Sequence, residues 1–328
     1  MPLSSSSIIM VNDINHIKML KLLKVWLLTG VNNDKVVIKT DSVKAAQIKA
    51  ANPIVKSVVP GAKLTILTPG EIGALKGFIS DWQDLARAYE QLGMAYQPQE
   101  AEAVKELSTA LTFDTAFVKM EAQNLVDLQN ALEDRLNNGN KKSLAGFVTA
   151  LNAHGGLEKL GAIIAADMFN GNSDRFFPNS ANSHTIGKTT FQTRCLVNVG
   201  NVFGAYHVSG TFQVAGLDFV DPQSRFKDPN TPLATAEAAS GPWSGRVLAD
   251  KQKRNDFAKD VIHDLEVLLS PRSRFRLRSK LNGDASTRLV SGMVQGAKLI
   301  AAKMETKYNP NGWTPGLKDR YVVMAQVT

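Results

Sequence analysis

At 328 residues and 44% hydrophobic content, the chain is long and apolar enough for one large domain or two lobes around a sizeable core. Its formal net charge of +8 is moderate for that length, and its one cysteine, Cys195, excludes an intramolecular disulfide and a Cys-based zinc cluster. The longest apolar run, near Ile163–Met168, falls far short of the roughly 20 residues a membrane span needs, so no transmembrane helix is expected.

The start, MPLSSSSIIMVNDINHIKMLK, carries a Ser run but no basic segment leading into a long apolar one, so it does not read as a classical signal peptide. KVWLLTG (24–30) and KVVIKTD (35–41) flank an Asn/Asp turn and predict a hairpin, with Lys39 near the end of its second strand. Ser42 is placed to cap a helix that runs until Pro53 interrupts it. AKLTILTPGEIG (62–73) reads as a strand ending in a Pro-Gly turn. From Asp81 to Leu111, apolar residues such as Leu85, Ala88, Tyr89 and Leu92 recur at helical spacing. TAFVKMEA (115–122) returns to strand character. Two helical stretches follow, QNLVDLQNALEDRLNN and KSLAGFVTALNAHGGLEKLGAIIAADMF. After the polar loop NGNSDRFFPN (170–179), TRCLVNVGNVFGAYHV and GTFQVAGLDFVDP suggest paired strands, and from about Trp243 the chain is mainly helical. The order predicts an α+β protein of two lobes, a strand-rich one over 1–122 and a mainly helical one over 123–328. Clefts between lobes are where small ligands bind.

The polar loop admits two readings. Asn, Gly, Ser and Asp make turns, and they also supply hard oxygen ligands for a divalent cation or a carboxylate that takes a proton. Four features stand in an order that phosphoryl transfer uses: a strand lysine, Lys39, able to reach phosphates; FVKMEA, whose backbone at Met120, Glu121 and Ala122 can hydrogen-bond an adenine; Asp174 in the loop; and Asp218 at the end of FQVAGLDF. Each residue also has an ordinary alternative, as an edge-strand lysine, a turn or cap aspartate, or a strand-end aspartate.

On VVIK, GNSDRF and GLDF, residues 24–222 resemble the protein-kinase-like superfamily in its atypical branches: phosphatidylinositol kinases, secretory-pathway atypical kinases, bacterial toxin–antitoxin kinases and kinase-like bacterial effectors. The resemblance implies a bilobal protein-kinase-like fold and transfer of the γ-phosphoryl group of ATP, with Mg2+, to a hydroxyl on a protein. It makes Lys39 the partner of the α/β-phosphates, Asp174 the catalytic base or acceptor-orienting residue, and Asp218 a magnesium ligand. The second metal ligand is open between Asn179, five residues after Asp174, and Asn201, which opens the strand before Asp218; Asn201 is favoured, with 180–197 then an insertion in the catalytic loop. A cytoplasmic protein, or an effector delivered into a host cell, fits this company, and an activating partner is compatible with it.

The chain departs from the family pattern in two places. No glycine-rich loop precedes Lys39, so SSSSIIMVND is the segment left to cover the phosphates. The helix after Lys39 offers Gln47 in place of the usual Glu, leaving Glu71 or a Glu of the 100–106 stretch to pair with the lysine. These departures keep two rivals in view, an AMP-transferring enzyme on the same scaffold and a pseudokinase acting as a binding module. The five histidines show no metal-ligand spacing, and Cys195 in RCLVNV reads as buried packing. PRSRFRLRSK (271–280) reads as a solvated basic face, so no specific nucleic-acid partner is expected.

Overall fold

The computed structural model describes residues 14–19, 25–32, 35–41, 65–112, 116–121, 125–140, 142–170, 175–206, 212–213, 245–269, 281–307 and 315–328. It is a mixed α+β protein dividing into two compact units, Met1–Ala50 with Lys63–Gln123, and Ala51–Ala62 with Asn124–Thr328. The helix expected after Ser42 and the basic stretch 271–280 lie outside the described residues.

In the first unit, β1 (Ile14–Met19), β2 (Val25–Gly30), β3 (Lys35–Asp41), β4 (Thr65–Ile66) and β5 (Ala116–Glu121) form an antiparallel sheet in the order β1-β2-β3-β5-β4. Strand alternation puts Trp26, Leu28, Val36 and Ile38 on one face, where they are buried. That face packs against two helices, α1 (Pro69–Gln91) and α2 (Pro98–Ala110), through Leu75, Ile79, Val104 and Leu107. The Trp26 indole N–H donates to the Ala103 carbonyl at 3.2 Å, so this fully buried side chain has its polar atom satisfied.

Two expectations change here. Pro69-Gly70 is the first turn of α1 and not a turn that ends a strand: Thr68 accepts from the Glu71 N–H, Glu71 accepts from the Thr68 N–H, and Pro69 sits where its missing N–H costs nothing. The periodic stretch 81–111 is two helices, broken at Leu92–Gln97, where Gly93 (φ 71°) and Gln97 (φ 38°) take left-handed backbone.

The second unit begins with β6 (Leu125–Asp127), which pairs with β9 (Phe203–Tyr206), and β9 pairs in turn with β10 (Phe212–Gln213). The stretch expected as one helix from 123 is therefore β6 followed by α3 (Leu128–Asn137). The next is likewise split, into α4 (Lys142–Asn152) and α5 (Gly156–Asn170), at Gly155 with φ 80°. A separate hairpin follows, β7 (Asn182–Ile186) and β8 (Thr189–Thr193), turning at Gly187. Then come α6 (Arg246–Ala249), α7 (Lys251–Leu269), α8 (Ala285–Lys307) and α9 (Pro315–Ala325). Among the described residues no helix is long and apolar enough to cross a membrane.

Helices α5 and α8 touch backbone to backbone. A Cβ on Gly292 would lie 2.0 Å from the Glu158 carbonyl oxygen, and one on Gly161 would lie 2.2 Å from that of Leu289. Arg288 closes the same seam: its Nε and Nη2 each donate to Glu158 at 2.9 Å, and Nη1 donates to the Asn152 carbonyl at 3.0 Å. The Arg288 hydrogen bonds outweigh burial and hold the Glu158 carboxyl below its ordinary pKa. Replacing a helix-interior Gly by Ala ordinarily gains up to about 1 kcal/mol. At Gly292 the sign reverses: Gly292→Ala is expected to lose about 1–3 kcal/mol by overpacking. Gly77→Ala on α1, where a Cβ meets nothing within 4 Å, should gain stability. Urea melts of the two variants check this, and a stabilised Gly292→Ala would mean that the helices are further apart.

Candidate active site

Lys39 lies on β3 opposite Val25 of β2 and Val118 of β5. Alternation turns it away from the buried Trp26–Ile38 layer, onto the second face of the sheet. There it is half-buried, with half-buried Val25, Leu27 and Val37 on the same face. Among the described residues, helices α1 and α2 pack on the opposite face, and the side chains flanking Lys39 on its own face are apolar. Met120 pairs with Val37 and Glu121 with Val36, and both lie beyond the last described pairing to β4, Thr65 with Lys119. Ala122 lies outside the described residues.

Two of the glutamates proposed for Lys39, Glu71 and Glu100, are engaged elsewhere. Glu71 accepts from the buried ammonium of Lys119 with one carboxylate oxygen, and from the Thr68 N–H at 2.8 Å with the other. Glu100 is bonded to His16 at 2.6 Å. Lys119 belongs to the helix-facing side of the sheet, opposite in direction to Lys39, so a Lys39–Glu71 pair is not made. Burial raises the Glu71 pKa, but the hydrogen bonds from Lys119 and Thr68 outweigh it and hold the carboxyl below its ordinary value. The stability this contributes is present above the ordinary carboxylate range and is lost as pH falls through the folded-state value.

A cavity of about 330 Å³ beside α1 and α2, lined by Lys76, Ser80, Gln83, Ser108 and Thr112 among others, lies on helices away from Lys39. It brings none of the expected site residues together.

In the second unit, Asp174 and Asp218 lie outside the described residues; the chain on both sides of the β7–β8 hairpin is described. Arg175 follows Asp174 directly. Its carbonyl accepts from the Val197 N–H at 2.8 Å, the Phe177 N–H donates to the Cys195 carbonyl at 2.7 Å, and Phe176 bridges Leu196. These contacts close β7–β8 into a loop whose two ends are held side by side. Four residues beyond Val197, Asn201 ends a 3-10 turn, Val199–Asn201, whose Gly200 N–H donates to the Asn198 side chain at 3.0 Å. The turn runs straight into β9, and Leu128 N–H donates to the Val202 carbonyl at 2.7 Å. Asn179 is exposed in a turn with φ 57°, a left-handed backbone that Asn tolerates.

Sequence reasoning passed over Asp264, on α7. Its side chain is fully buried and accepts the backbone N–H groups of Arg194 at 2.8 Å, Cys195 at 2.8 Å and Leu196 at 2.9 Å, with the Cys195 thiol at 3.3 Å. Hydrogen bonds to a charged group contribute about 1.5–3 kcal/mol each. Burial, and then the Asp264 charge, push the thiol pKa far up, which leaves Cys195 a packing residue. The signal was present in the sequence: Asp264 falls on the apolar stripe of its helix with Phe257, Val261 and Leu268, and a carboxylate on such a stripe needs partners. Asp167 and Arg175 form a second buried pair, 3.5 Å apart.

Among the described residues, no three His, Cys, Asp or Glu side chains converge as a metal site. No protein-family model, curated protein or solved structure matches the chain.

Proposed function

We propose that this chain is an atypical kinase with a bilobal protein-kinase-like architecture, transferring the γ-phosphoryl group of ATP to a hydroxyl of a protein substrate. The observation that carries the reading is the Phe176–Leu196 bridge, which brings the segment following Asp174 beside the one leading to Asn201 although 180–193 separates them in sequence. The place of Lys39 on the sheet face opposite α1 and α2, among half-buried Val25, Leu27 and Val37, supports it. In this account the Lys39 ammonium binds the α/β-phosphates, while Asp174 orients the acceptor hydroxyl and takes its proton as the new P–O bond forms and ADP leaves. Asn201 and Asp218 supply the hard oxygen donors that suit Mg2+. The ion offsets charge on the transferring phosphoryl group when bound. We place such an enzyme in the cytoplasm or in a host cell as an effector.

A second reading, a pseudokinase used as a binding module, is favoured by the engagement of Glu71 with Lys119. Thermal shifts with ATP, with and without Mg2+, separate the two. Stabilisation by ATP that requires Mg2+ is expected, and none would favour the module.

The same assay locates the phosphate lysine. Lys39→Ala should weaken ATP binding by at least about tenfold, for loss of one charge-assisted contact. Lys119→Ala should lower stability by about 2–3 kcal/mol, less than a fully buried broken pair, and leave ATP affinity near normal. The opposite pattern would transfer the phosphate contact to Lys119.

A further inference from the structure

We infer that Asp264 is a positioning residue of this site: it fixes the junction at which the β7–β8 hairpin returns, and through it the approach of Arg175–Phe177 to the segment that leads to Asn201. The inference rests on the kinase reading for its catalytic consequence and on the geometry alone for its structural part. One carboxylate, with no exposure to solvent, takes three successive backbone N–H groups, Arg194 to Leu196. Two of them, Cys195 and Leu196, pair with the 175–177 segment together with Val197: Cys195 accepts from Phe177, Leu196 bridges Phe176, and Val197 donates to Arg175. Asp264 therefore holds one partner of the bridge, and the bridge holds the other. From Val197 the chain reaches Asn201 through a single capped turn, which leaves little slack between anchor and candidate ligand.

One turn earlier on α7, Asp260 accepts from the Arg194 guanidinium at 3.0 Å, a pair open to solvent on the arginine side and half-buried on the carboxylate side. An exposed pair contributes little. Asp260 is thus an internal control on the same helix.

The chemistry of the anchor is specific to a carboxylate. Asp264→Asn keeps the shape, but it replaces one acceptor oxygen with an NH2 that faces backbone donors. Misplacing reacting groups by about 1 Å costs up to about a hundredfold in rate. The test combines kinetics with amide hydrogen exchange. Asp264→Asn should lower kcat by about tenfold to a hundredfold while the KM for ATP stays within about twofold, because Lys39 is untouched. Exchange at Arg194–Val197 and Arg175–Phe177 should quicken by at least about tenfold, with α5 and α8 unchanged. Asp260→Asn should alter neither. A folded Asp264→Asn with kcat within twofold of wild type, or exchange that rises evenly across the whole unit, overturns the inference. If that variant does not fold, wild-type exchange decides: amides 194–196 should be among the slowest of the described loops, and rapid exchange there overturns the anchoring. Absence of transfer by wild type would instead overturn the kinase reading and the catalytic consequence with it, while the exchange result still stands or falls by itself.

Discussion

Asp174→Ala is expected to abolish phosphoryl transfer, by roughly a thousandfold or more, while melting within a degree or two of the parent protein. A positioned base contributes about a hundredfold to ten-thousandfold, and the same carboxylate is also asked to orient the acceptor. The stability side rests on the residues that follow Asp174 in the chain. The neighbouring residues Arg175, Phe176 and Phe177 are held by backbone bonds to 195–197, and Arg175 is paired with Asp167 in the interior. Those contacts do not use the Asp174 side chain. Single-turnover assays beside a melting curve check both halves. Near-normal turnover in a folded variant would remove Asp174 from the chemistry, and a large loss of stability would return it to the role of a cap.

The second large effect separates two asparagines. Asn201→Ala should raise the Mg2+ concentration needed for half-maximal turnover by at least about tenfold, the scale on which even a ligand's hydrogen-bonded partner acts. Asn179→Ala should do much less. Asn179 is exposed in a left-handed turn, a position that its side chain occupies for backbone reasons. Asn201 closes a capped 3-10 turn at the start of β9, which pairs with β10, and Asp218 comes five residues after β10 in the sequence. Octahedral Mg2+ is demanding of geometry, so an Asn that opens a paired strand is favoured over one on an exposed turn. A magnesium titration in which Asn179→Ala is the more impaired would make DRFFPN the metal loop.

The parts of this fold that could be read from the sequence are those whose signals are local. The β2–β3 hairpin alternates over its whole length, and Lys39 follows from that alternation. β5 and the mixed α+β class were legible in the same way. Strand β1 was not, because a register shift between Ile14 and His16 spaces its buried residues Ile14 and Ile17 three apart and hides the period of two. Pro69-Gly70 looked like a turn because Pro opens helices as readily as it ends strands, and only the Thr68–Glu71 capping box decides. Strand β6 is three residues long and merges into the helix after it.

The site was legible as an order of residue types but not as a set of contacts. Asp264 is 69 residues from Cys195 in sequence, and no spacing rule connects them. Lys119 was missed for a different reason. FVKMEA offers its backbone to an adenine, and alternation from the buried Phe117 puts Lys119 on the covered face.

The central claim is tested most directly by following radiolabel from ATP. The protein is incubated with Mg2+ and γ-labelled ATP, alone and with a eukaryotic extract, beside Asp174→Ala and beside α-labelled ATP. The account predicts Mg2+-dependent label on protein from the γ position only, lost in the variant. Label arriving from the α position would make the enzyme an AMP transferase, and no label from either position, with or without extract, would contradict the account.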